Sequence, residues 1–114
     1  MAVQLTTIQE LHDHFSGVLQ RAQHHAPNVD QIIYFILGMI IAFKDSGTVI
    51  DVSGQNIGLG NLLWTNINGT RYAFQYNHNT ASIEIHENTY NGAIKATITN
   101  GTTLQQLSAI FNGL

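Results

Sequence analysis

The sequence predicts an α+β fold: two N-terminal helices, a mainly antiparallel four- to five-stranded β-meander and a C-terminal helix, with the helices packed on one face of the sheet. Three observations predict it. Apolar residues recur at helical spacing through the first third of the chain, they alternate with polar ones through the middle, and Asn-Gly pairs punctuate the alternating part. The reading divides a single domain, residues 1–114, into a helical hairpin (1–46), an antiparallel sheet (47–100) and a C-terminal helix (101–114).

Thr7-x-x-Glu10 has the spacing of a capping box, in which each side chain satisfies a free amide at a helix start. Ile8, Leu11, Phe15, Val18, Leu19 and Ala22 follow as one apolar stripe, and Pro27 closes this helix near His25. Asn28, with Gln31 three residues on, is the expected cap of a second helix over 29–44. From Tyr34 to Phe43 that helix has no polar face, so it must be covered all round. The sheet and two amphipathic helices offer few faces to cover it. Its outer positions Tyr34, Leu37 and Ile41 are therefore the expected interface of a homo-oligomer, most simply a two-fold dimer.

A first strand is expected over Thr48–Ser53. Residues 54–61, with Gly54, Gly58 and Gly60, read as a loop that can serve as a pocket lid. Asn68-Gly69 and Asn91-Gly92 are two-residue hairpin signals, because both central residues of such a turn need positive φ. A weaker turn falls on Asn77–Thr80, giving strands near 62–67, 70–77, 81–89 and 93–99. The last helix starts after Asn100-Gly101 with Thr102 or Thr103 as cap. It carries Leu104, Leu107, Ile110 and Phe111, and it stops at Gly113.

The turns predict a register. Asn68-Gly69 sets Trp64 beside Ala73 and Leu63 beside Phe74. A loop centred on His78-Asn79 sets Phe74 beside Ile83 and Arg71 beside His86, and Asn91-Gly92 sets Ile85 beside Ile98. All three then place Leu63, Thr65, Ile67, Tyr72, Phe74, Tyr76, Ile83, Ile85, Ile94, Ala96 and Ile98 on one face for the helices to cover. Glu87 lands at the end of that face, where it should turn outward or meet a Tyr or Lys.

The opposite face carries the ligand-binding candidates Trp64, Arg71, Gln75, Glu84 and His86, with Arg71, Glu84 and His86 as near neighbours. Its plain reading is a solvated sheet surface whose cross-strand ion pair guards register. A ligand site for a small polar or anionic molecule is the next reading, and acid–base work by Glu84 and His86 the third.

Composition removes several function classes. Only 10% of the 114 residues are charged, and four Lys and Arg stand against seven Asp and Glu, so no basic footprint for nucleic acid or an anionic membrane exists. Eleven Asn, nine Gln and eleven Thr carry the polarity instead. With no cysteine there is no disulfide framework, thiolate metal site or Cys nucleophile, which fits a cytoplasmic protein. The opening residues show no basic region leading into a long apolar run, so no secretory signal is expected. The apolar run 32–43 is shorter than the roughly 20 residues of a membrane span. His12 and His14 point about 200° apart on a helix, His24 and His25 are adjacent, and Glu84-x-His86 offers only two ligands, so neither a metal nor a cofactor is expected.

The order helix–helix–strand–loop–meander resembles the cone-shaped fold of nuclear transport factor 2-like and SnoaL-like proteins. The likeness covers element order alone, and the C-terminal helix departs from it. It implies a small hydrolase or isomerase, with Glu84, His86 and Tyr76 as acids and bases. Without a catalytic motif, the reading preferred here is a non-enzymatic, self-associating interaction or adaptor protein, ahead of a small-molecule binding module using the open sheet face or a helix–sheet cavity. An environmental or mobile-element reading frame is a further expectation that no motif carries.

Overall fold

The computed structural model describes residues 2–53, 61–89 and 91–114. Along the chain run β1 (Ala2–Leu5), α1 (Ile8–His25), α2 (Ile32–Phe43), β2 (Ile50–Ser53), β3 (Asn61–Ile67), β4 (Thr70–Asn77), β5 (Ser82–Glu87), β6 (Ile94–Ile98) and α3 (Leu104–Asn112). Among the described residues the strands form one six-stranded antiparallel sheet whose spatial order is the chain order. The fold is α+β, as the sequence predicts, with one strand more. That strand is β1, whose four residues are too few to show a period of two. Its partner declares it instead, with Leu5 level with Ile50 and Gln4 with Asp51.

Thr7 and Glu10 close the capping box on α1, whose Val18 and Ala22 are buried. The cap of α2 is a correction. Gln31 stands at its N-cap position without a side-chain bond. The oxygen of Asn100 takes the role, accepting from the backbone N–H groups of Gln31 at 3.1 Å and Ile32 at 2.9 Å. Asn28 instead donates its amide to the carbonyl of Ala81. At α3 the cap is Thr103, in a second capping box with Gln106, and Gly113 ends the helix.

The three helices supply Val18, Ile33, Ile36, Ile40, Leu107 and Phe111 to a core built on Leu63, Phe74, Ile83, Ile85 and Ile98 from the sheet. Phe111 joins the layers, stacking on Phe74 at 5.9 Å and tilting against Phe43 at 5.6 Å. Each such side chain contributes about 1.5–3 kcal/mol by leaving water.

The expected register holds at the first hairpin, where Trp64 pairs with Ala73 and Leu63 with Phe74 around left-handed Asn68 and Gly69. The next two pairings are shifted by two residues. Phe74 lies level with Ile85 and Tyr76 with Ile83, while Ile98 lies level with Ile83. In the first case the turn spans residues 78–81 and its left-handed residue is Ala81 at φ 50°. In the second, Asn88 at φ 68° replaces the expected turn at Asn91-Gly92, and a bulge falls between Ile85 and His86. A shift of two keeps every side chain on its face, so the face assignment survives. Ile94 is the exception, 56% exposed where the bulge breaks the ladder. Glu87 turns outward to the Lys95 ammonium at 3.5 Å.

Candidate functional site

The sheet face turned away from the helices is buried at its centre. Asp51, Ala73, Ser82, Glu84 and His86 are all buried, which corrects the expectation of a solvated surface. Two polar clusters occupy it.

The first brings together Gln75, Glu84 and His86, with Asn77 added. Gln75 lies opposite Glu84, and Ala73 opposite His86. The His86 Nε2 lies 2.8 Å from Glu84 Oε1 and 3.1 Å from the Gln75 amide nitrogen. Its Nδ1 lies 3.0 Å from the Gly92 carbonyl oxygen. The second oxygen of Glu84 accepts from the Asn77 amide at 3.0 Å. The hydrogen bond from His86 holds the Glu84 carboxyl below its ordinary range. Burial opposes that shift, and the Asn77 and Gln75 amides reinforce it.

The second cluster is Trp64, Arg71 and Asp51. Arg71 donates to Asp51 at 2.6 Å, and its guanidinium carbon lies 5.7 Å from the Trp64 ring centre. The two-residue shift moves Arg71 from the position opposite His86 to one level with Asn88, and its side chain pairs with Asp51 instead, a correction to the expected trio. Asp51 is the residue that sequence reasoning missed. Its signal was present, since Ile50 and Val52 alternate around it and chain-order pairing sets Asp51 level with Trp64.

Both ring nitrogens of His86 and both oxygens of Glu84 already have partners within the chain. Tyr76, the third group implied by the cone-fold likeness, belongs to the opposite face, where it is buried with its ring edge-on to His78. The three groups do not converge on a common point. The hydrogen bonds of the polar network tie β4 to β5. Among the described residues, no group of three or more His, Cys, Asp or Glu side chains is placed to hold a metal ion. The lid expected over 54–61 lies, for residues 54–60, outside the described residues.

On the helical side, Tyr34 and Ile41 are 49% and 48% exposed as expected of outer positions, but Leu37 is buried. The 3.6-residue turn rotates Leu37 into the core beside Ile33, Ile36 and Ile40, and Phe35, half exposed, takes its place on the outer surface. Tyr34 is fixed by the Gln23 amide, which donates to its hydroxyl at 2.6 Å. Phe35, Gly38 and Met39 face Leu104 and Ser108 of α3 across an open apolar groove. Among the described residues no helix is long and apolar enough to cross a membrane.

No curated protein matches the chain. A family model does, over residues 11–108, a span that takes in α2, most of α1, the first part of α3, most of the sheet and both polar clusters. Its description is Integron cassette protein VCH_CASS1 chain, and the protein thus belongs to this integron cassette family as a mobile-element cassette protein.

Proposed function

We propose that the protein works as a small self-associating interaction domain. One observation carries this reading: α2 has no charged residue from Ile32 to Phe43, yet Tyr34, Phe35 and Ile41 stand about half exposed on it. Leu104, 55% exposed, extends the same surface onto α3. Contiguous apolar surface of this kind marks a contact site. Sedimentation tests it. A species heavier than 12.6 kDa that dissociates on dilution is expected, and Phe35→Glu should abolish it. A 12.6 kDa species unchanged over a hundredfold concentration range overturns the reading.

A second reading rests on Trp64 and Arg71, which form a partly exposed aromatic–cation pair at the edge of a buried polar face. We propose that this pair receives a small polar or anionic ligand, the indole supplying a stacking surface and the guanidinium its charge. Trp64 is the sole tryptophan, so its fluorescence reports the site directly. Saturable quenching by benzoate that disappears in Arg71→Gln supports the reading. No quenching by benzoate or inorganic phosphate at millimolar concentration ends it.

A further inference from the structure

Gly38 sits in the middle of α2, where glycine is the poorest helix former apart from proline. Among the described residues nothing explains it. A Cβ added there meets no atom within 4 Å, so no neighbouring backbone or side chain requires the missing methyl. Gly38 instead forms part of the groove between Phe35 and Met39 on one side and Leu104 and Ser108 on the other. Phe35, three positions earlier and half exposed, is the adjacent projection on the same surface.

Resting on the self-association proposed above, we infer that two copies of the chain meet about a two-fold axis at α2, the Phe35 ring of each seated over Gly38 of the other. Knob and hole are one turn apart on one helix, so a two-fold rotation exchanges them and satisfies both at once. Charge favours a second copy as the occupant. The groove has no charged side chain, and α2 has none from end to end, so the approach strips water from no ion. Area favours it as well. Half-exposed Tyr34, Phe35, Ile41 and Leu104 offer roughly 350 Å² per copy before their neighbours are added, judged from the 150–250 Å² an aromatic side chain can bury. With its rim, a symmetric pair reaches the lower bound of specific interfaces, about 1,000 Å² in total.

The cysteine-free chain allows a clean test. Chains carrying Phe35→Cys and chains carrying Gly38→Cys are mixed under mild oxidation, and each variant is also oxidised alone at the same total concentration. Cross-linking at least tenfold faster in the mixture is expected. Gly38→Leu should raise the dimer dissociation constant at least tenfold while leaving the circular dichroism spectrum and the dilute-solution Tm unchanged or improved. A dimer in sedimentation that cross-links no faster when mixed, and that tolerates Gly38→Leu, overturns the Phe35–Gly38 seat and leaves self-association standing. A monomer at every concentration overturns both. Saturable binding of an apolar dye to a monomer, lost in Gly38→Leu, assigns the groove to a small ligand and overturns the inference.

Discussion

Asn100 caps a helix that begins 68 residues before it, its side-chain oxygen accepting the backbone N–H of Ile32 at 2.9 Å. The same amide donates to the Pro27 carbonyl at 3.0 Å and to Asp30 Oδ1 at 2.9 Å, and the Asn100 backbone N–H donates to the Asn28 carbonyl. One side chain thus fastens the connection between α1 and α2 to the end of β6. Replacing it by Ala removes the cap and two further bonds, an expected loss of about 2 kcal/mol from urea unfolding. Asn100→Asp keeps the capping oxygen but sets a carboxylate against Asp30, so it should lie between the two. An Ala variant as stable as the parent would refute the tie.

Glu84 titrates below the ordinary glutamate value of 4.5, chiefly because His86 hydrogen-bonds its carboxylate. A depressed folded-state pKa stabilises the protein above the unfolded value and loses that contribution as pH falls through the folded one. The stability difference between the parent and Glu84→Gln should therefore be full above about pH 4.5 and shrink on further acidification. Parallel stability curves from pH 7 to pH 2 would show that the His86 contact does not act through the charge.

Thr65 is completely buried on the helix-facing side of β3, and its hydroxyl finds no partner among the described residues. Valine has nearly the same shape without the polar group. Thr65→Val should raise stability by about 1 kcal/mol, since an unpaired buried hydroxyl carries its full desolvation penalty. A drop in the denaturation midpoint would mean that the hydroxyl is satisfied.

At Gly92 a Cβ would overlap the Glu87 carbonyl, so the backbones of β5 and the 88–93 connection are closer than any side chain allows. Gly92→Ala must push that connection away and with it the carbonyl that His86 Nδ1 reaches. A loss of about 2 kcal/mol or more is expected, against a few tenths for Asn91→Ala nearby. Equal effects of the two substitutions would remove the close approach as the cause.

Legibility followed the chemistry of the turns. At Asn68-Gly69 the residues with positive φ are the two that tolerate it best, and the register around them is as read. At the next turn the left-handed residue is Ala81, which announces nothing, and the register slid by two. Asn91-Gly92 misled in the opposite way, for Gly92 answers to the Glu87 carbonyl rather than to a hairpin, and the left-handed residue is Asn88. An even slip spares the core but regroups the polar face. That is why the sequence puts Phe74 and Ile85 on the right face yet sets Arg71 beside His86 and Glu84 instead of Asp51. Leu37 failed for a related reason: a helix apolar on every side has no stripe to show which way it turns.

Spatial order equal to chain order also bears on how the sheet assembles. From β2 onward each strand pairs with the next along the chain, so those contacts are local in sequence. Leu5 and Ile50, by contrast, meet only after both helices have been laid between them. Closing so long a loop carries the larger entropy, which makes β1 the strand that docks last and leaves first. Each departure bares the outer edge of β2, a row of unsatisfied backbone groups open to another chain. The four residues Ala2–Leu5 are thus an edge strand whose departure hands the edge position to β2, so that side of the sheet presents one of two different sequences to its surroundings.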